Sequence, residues 1–146
     1  MTQNARLLVT AVACLMLGAG ALAGYRAVVP DAGLSTCRPG AVQMARIELL
    51  FGTARKSGAA VGDVEWQSFL ATEVTPRFPD GLTVLTGFGQ WRSGESVRKE
   101  GSRVLLIFAP RRPDNDARIE AIRDAYKARF EQDSVLRVDG LSCVSF

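Results

Sequence analysis

Ala45-Arg46-Ile47-Glu48-Leu49-Leu50-Phe51-Gly52 alternates apolar and polar side chains over most of its length. A period of two places Ile47, Leu49 and Phe51 on one side of a β-strand and Arg46 and Glu48 on the other. Downstream, a Gly- and Ala-rich loop from Arg55 to Gly62 leads to a helix from about Asp63. Trp66, Phe69, Leu70 and Val74 recur there at spacings of three and four, until Pro76 ends the run. Pro79-Asp80-Gly81 is a turn that opens a second strand, Leu82 to about Gln90. A polar hairpin around Ser93-Gly94 precedes the most apolar strand, Val104-Leu105-Leu106-Ile107-Phe108, and Pro110 and Pro113 break that run.

A second helix from about Asp114 carries Ile119, Ile122, Tyr126 and Phe130 on one stripe, with Asp114 or Asn115 capping its first turn. Ser134 to Asp139 forms the last strand, and Gly140 turns into a short tail, residues 141–146. The order βαββαβ predicts an α+β, ferredoxin-like fold: a four-stranded antiparallel sheet with two helices on one face. The loop after the first strand, the central hairpin and the end of the second helix then meet at one pole. The loops around Pro76 to Gly81 and Pro110 to Pro113 meet at the other. Arg46 and Glu48 point to the open face, where Arg137 and Asp139 can join them. That face is either a solvated, salt-bridged surface or a surface for a ligand or a homodimer partner.

Residues 1–23 have the grammar of a secretory signal. Arg6 sits in a short cationic start, an uncharged stretch runs from Leu7 to Ala23, and Ala21-Leu22-Ala23 supplies the small-x-small cleavage pattern. The stretch is short for a hydrocarbon core about 30 Å thick, and Gly18 and Gly20 interrupt it. The alternatives are an uncleaved anchor, which is the sole expected membrane contact, and lipidation of Cys14 after Val12-Ala13. Cleavage after Ala23 is favoured, giving a periplasmic or extracellular protein with a linker over 24–44 and one domain over 45–146. Of three cysteines, Cys37 and Cys143 then remain. In an oxidising compartment the simplest outcome is a disulfide; the other is two thiols, with Cys143 buried as a small hydrophobe.

The chain contains no histidine. Ser-His-Asp and Cys-His catalysis, histidine zinc sites and histidine-ligated haem are therefore excluded. A net charge of +3 with both signs interspersed gives no nucleic-acid footprint. No metal loop or close cysteine set occurs, and no cofactor is implied. Gly87-Phe88-Gly89 imitates a dinucleotide fingerprint but lacks its third glycine and precedes a hairpin. Lys99 and Ser102 lie in a charged hairpin, where lysine is a poor base.

Arg77, held between Pro76 and Phe78 and followed by Pro79-Asp80, is a stiffly presented guanidinium that suits a carboxylate or phosphate. Arg111 and Arg112 lie near the same pole. Its simpler role is an internal ion pair. Arg55, Lys56, Arg92, Arg98 and Lys99 with Glu95 and Glu100 make a mixed charged pole, and Trp66 and Trp91 read as core or edge packing.

Trp66-Gln67-Ser68-Phe69-Leu70, the run Val74-Thr75-Pro76-Arg77-Phe78-Pro79-Asp80-Gly81-Leu82-Thr83-Val84, and Gly89-Gln90-Trp91-Arg92 resemble an uncharacterised bacterial family. That family is domain of unknown function 3574, small exported or lipid-anchored proteins. Ile122-Arg123-Asp124-Ala125-Tyr126 and the stretch from Phe130 to Arg137 resemble it too, while Gly62 departs from a frequent, helix-capping serine. The resemblance implies an envelope location, carries no activity, and draws attention to Arg77, Asp80, Gln90 and Arg92.

Two function classes follow. The preferred one is a non-catalytic binding or interaction module whose partner is a small anionic ligand, an envelope protein or a second copy. The alternative is an isomerase- or lyase-type enzyme for an anionic small molecule, acting through Arg, Tyr and carboxylate groups. It requires Arg77, Gln90, Tyr126 or Arg129 to line a common pocket with a carboxylate.

Overall fold

A computed structural model describes residues Cys37–Phe146; the expected signal, 1–23, and the linker as far as residue 36 lie outside the described residues. The elements are β1 (Val42–Gly52), α1 (Asp63–Phe69) running into a π-helical turn (Leu70–Val74), β2 (Thr83–Ser93), β3 (Ser96–Ala109), α2 (Asn115–Phe130) and β4 (Leu136–Val144). The sheet order is β2-β3-β1-β4, with every neighbouring pair antiparallel. The fold is α+β, and its strand order is consistent with a ferredoxin-like arrangement.

Alternation along β1 does what its sequence dictates. Ile47, Leu49 and Phe51 are buried, and pairing sets Ile107 and Leu105 of β3 beside Ile47 and Leu49. Trp66, Phe69, Leu70 and Val74 from the first helical segment and Ile119, Ile122, Tyr126 and Phe130 from α2 complete the core. The first helical segment is not uniformly α. Pro76 has no N–H and its ring crowds the carbonyl four residues back, so the last turn widens, with Thr75 N donating to Leu70 O at 2.9 Å. At the other end Gly62 offers no side-chain cap. Glu65 Oε2 instead reaches back to accept from the Gly62 N–H at 3.1 Å.

Three expectations are corrected. Asp114 stands at the N-cap of α2 but makes no cap bond, because its carboxylate pairs with Arg118 one turn on. The other two lie at β4. Gly140 does not turn, and residues 141–144 continue the strand, because β1 itself begins at Val42 and pairs through to Val144. Arg137 and Asp139 do not join the open face either. The register sets Arg137 against Leu49 and Asp139 against Ile47, so both lie on the helix side, and Leu136 and Val138 take the open face. Arg137 reaches Asp116 and Glu120 of α2 at 2.7 Å each and Asp139 at 2.9 Å. These charges sit on an edge strand, where they discourage further strand pairing.

Cys37 and Cys143 form a disulfide that joins positions 106 residues apart. It fastens the segment before β1 to the end of β4. Closing so long a loop stabilises by about 4–5 kcal/mol in the chain-entropy description, with measured values often smaller. The double change Cys37→Ser and Cys143→Ser is expected to lower the unfolding free energy by about 2–5 kcal/mol in urea titrations. An unchanged midpoint contradicts this.

The ion network gives a pH signature. Hydrogen bonds from Arg123 and then Arg137 hold the Glu120 carboxyl below its ordinary value of 4.5. A carboxylate with a depressed folded pKa stabilises above its unfolded pKa and loses that contribution as pH falls through the folded one. Stability should therefore drop between about pH 5 and pH 3. Urea midpoints at the two ends should differ less in Arg137→Met than in the parent chain; an equal difference removes this network as the cause.

Candidate functional site

Both helices lie on one side of the sheet, and among the described residues nothing covers the opposite side. Register puts the even positions of β1, β3 and β4 and the odd positions of β2 there. One row crosses all four strands as Leu85, Val104, Leu50 and Leu136, and the next carries Leu106 and Val138 on either side of Glu48. Leu85, Trp91, Leu136 and Val138 are exposed at 53%, 51%, 58% and 44%. Arg46 and Glu48 lie on this face as expected, joined at 2.8 Å. Single exposed apolar side chains are ordinary, whereas a contiguous row of them marks a contact surface.

At the hairpin pole the face runs into an open groove of about 960 Å³, whose lining includes Leu50, Gly52, Trp91, Arg98, Glu100 and Gln132. Glu100 organises it. Its carboxylate accepts the Trp91 indole N–H at 3.0 Å and the Ala54 backbone N–H at 2.9 Å. It lies directly over Gly52, where an added Cβ would stand 2.7 Å from Oε2. The Arg98 guanidinium rests 6.0 Å from the Trp91 ring centre. Lys56 is tied to Asp133 and Arg55 to Glu65, so two of the pole's cations are already neutralised.

The six residues singled out from sequence do not converge. Arg77 and Asp80 line a small cavity of about 110 Å³ at the proline pole, with Arg112 and Arg118. Arg77 donates to Glu73 O at 2.5 Å and pairs with the Glu73 carboxylate at 3.0 Å, an internal ion pair. Arg118 pairs with Asp114 and donates to Arg77 O, so both of these guanidiniums are engaged within the chain. Gln90 and Arg92 lie on the helix side of β2, paired with Lys99 and Val97. Seven residues of strand, about 23 Å, separate Gln90 from the start of β2. Arg129 donates to Ser68 Oγ at 3.0 Å and lies over the Phe130 ring.

Tyr126 is not at a surface. It is fully buried against Phe51, Phe69 and Phe130, and its hydroxyl donates to Gly52 O at 2.9 Å. Burial pushes its phenol well above the ordinary value, which unsuits it for proton transfer near neutral pH. Trp66 is likewise core, with an indole N–H that has no hydrogen-bond partner among the described residues. Sequence reasoning passed over the pairing of Trp91 with Glu100. A signal was present in the spacing: Leu85, Gly87, Gly89 and Trp91 are alternate residues of one strand and so share a face.

The chain belongs to the family described as Protein of unknown function (DUF3574), whose model matches residues 46–146. Among solved structures it is similar to a phage SAM lyase in complex with S-methyl-5'-thioadenosine. The TM-score is 0.55 at 10% identity, covering 77% of this chain and 95% of that one. It is also similar to a phage SAM lyase in the apo state, with a TM-score of 0.47 at 14% identity, covering 78% and 97%. At such identities the first likeness is one of fold. No curated protein matches the chain.

The two tryptophans offer a direct check on this geometry. Iodide should quench fluorescence in Trp66→Phe, which keeps exposed Trp91, and leave it nearly untouched in Trp91→Phe, which keeps buried Trp66. Similar quenching of both contradicts the assignment of Trp91 to the open face.

Proposed function

We propose that this protein is an exported, non-catalytic binding or interaction module of the cell envelope, working through the uncovered face of its sheet. The observation that carries this is the apolar row Leu85, Val104, Leu50 and Leu136, left bare while both helices pack on the other side. The distribution of reactive groups supports it. Tyr126 serves the core, Arg77 is engaged by Glu73, and Gln90 and Arg129 lie apart from both. The Cys37–Cys143 disulfide supports an oxidising compartment, in keeping with the signal-like residues 1–23.

A lyase-type enzyme is the second reading, favoured by the groove in which Trp91, Arg98 and Glu100 meet. An aromatic ring flanked by a cation and a carboxylate suits a small charged heterocycle. One protein of similar fold is a phage SAM lyase solved with S-methyl-5'-thioadenosine, so that chemistry is the natural probe. The two readings separate on one assay. Purified protein lacking residues 1–23 is incubated with S-adenosylmethionine, and S-methyl-5'-thioadenosine is measured by chromatography. The binding-module reading predicts no product above the protein-free control. Product that disappears in Glu100→Gln overturns it and establishes the second reading. Product that persists in Glu100→Gln overturns it too and moves the chemistry out of this groove.

A further inference from the structure

The sheet has two edges, and the sequence treats them differently. β4 carries Arg137 and Asp139, charges that discourage a further strand. β2 has no such guard. Between Thr83 and Ser93 there is no proline or lysine, and its single charge, Arg92, stands near the end. No bulge bends it away either, since pairing with β3 steps without interruption from Thr83–Leu106 to Ser93–Ser96.

The backbone of this edge is unsatisfied. A two-residue turn, Gly94-Glu95 with Gly94 at φ 61°, joins Ser93 to Ser96. Such a turn makes its flanking residues a hydrogen-bonded pair, and bonded pairs then recur at every second position. The odd residues of β2 therefore turn their N–H and C=O groups toward β3. Val84, Thr86, Phe88, Gln90 and Arg92 turn theirs outward, where no backbone partner meets them among the described residues. Phe88 is also 94% exposed at the middle of the strand. Asp63 at the start of α1 pairs with Arg103, which lies opposite Thr86, so helix cover stops short of Phe88.

We infer that the β2 edge pairs with β2 of a second copy of this chain, antiparallel about a two-fold axis at Phe88. This goes beyond the open-face role: it uses the edge of the sheet and leaves the face free. The strand matches its own reverse. Thr83–Ser93 is centred on Phe88, so this two-fold alone pairs its full length. Phe88 meets Phe88, Thr86 of one copy meets Gln90 of the other, and Leu85 meets Trp91. Gly87 meets Gly89, leaving room beside the Trp91 ring. Arg92 falls opposite Val84, and the two Arg92 side chains stand at opposite ends of the seam, about 26 Å apart.

The five outward-facing positions exchange about ten backbone hydrogen bonds. The seam is about 36 Å long and about 10 Å deep, which buries about 700 Å² over both copies. That area belongs to weak, reversible contacts, in which main-chain bonds set the affinity. The product is an eight-stranded sheet whose two open faces join into one surface.

Sedimentation velocity on the protein lacking residues 1–23 tests this over about 1 to 300 µM. A reversible monomer–dimer equilibrium is expected. Phe88→Lys and Phe88→Glu each set like charges against each other at the axis, and each should raise the dissociation constant at least about tenfold with an unchanged circular dichroism spectrum. Mixed in equal amounts, the two variants should associate again. A parent chain that is monomeric throughout, charged variants that dimerise alone, or a mixture that stays monomeric overturns the two-fold. Amide exchange at Thr86, Phe88 and Gln90 should slow as the parent concentration rises. Fast exchange at every concentration means an open edge, and slow exchange in the monomer means an edge covered by residues 24–36; either overturns the pairing. None of these results bears on the S-adenosylmethionine assay, which tests the non-catalytic role in monomer and dimer alike.

Discussion

The pairing register of β1 governs the rest of the molecule. β1 is an inner strand, bonded to β3 on one side and β4 on the other, and both pairings run without a bulge through the bonded length. Its alternation thus fixes the facing of three strands at once, and of β2 through β3. Ile47, Leu49 and Phe51 on the helix side commit Leu105 and Ile107 to the core and Arg137 and Asp139 to the same side. A slip of one residue would bury Arg46 and Glu48 and expose Phe51 to water. The bare face, with its row of Leu85, Val104, Leu50 and Leu136, is the other consequence of that register.

The core spends its chemistry on structure. Phe51, Trp66, Phe69, Tyr126 and Phe130 form a cluster of mostly edge-to-face contacts with centroids 4.6 to 6.1 Å apart. Pairs of this kind contribute about 0.5–1.5 kcal/mol each beyond the area they bury. Tyr126 adds a hydrogen bond to Gly52 O, just where β1 ends and the groove begins. Glu100 then lies across Gly52 from the open side. The end of β1 is thereby held from both faces, by a phenol below and a carboxylate above.

Much of this was legible in the sequence because it depends on local periodicity. The alternation from Ala45 to Phe51, the helical stripe Ile119, Ile122, Tyr126 and Phe130, and the turn at Gly94 are all short-range signals. The strand order and the Cys37–Cys143 disulfide followed from topology and cysteine arithmetic. What escaped depends on long-range register. Whether Arg137 faces helix or open side is decided by its pairing with Leu49, 88 positions away, and no local pattern in β4 records it. Gly140 reads as a turn residue and stays extended because β1 is long enough to pair beyond it. The same holds for the candidate site. Each of Arg77, Gln90, Tyr126 and Arg129 is conspicuous in one dimension, yet their side chains belong to different poles and layers.

The central claim is that the bare face, and not a catalytic pocket, is the working surface. Amide and indole NMR spectra recorded while an apolar probe, 1-anilinonaphthalene-8-sulfonate, is titrated in test it most directly. As the probe is added, the account predicts shifts confined to the open face: Arg46, Leu50, Leu85, Val104, Leu136, Val138 and the Trp91 indole. Residues on the outer surface of α2, such as Asp124 and Lys127, should stay fixed. Spectra that do not change as the probe is added, or that change at α2 instead, contradict it.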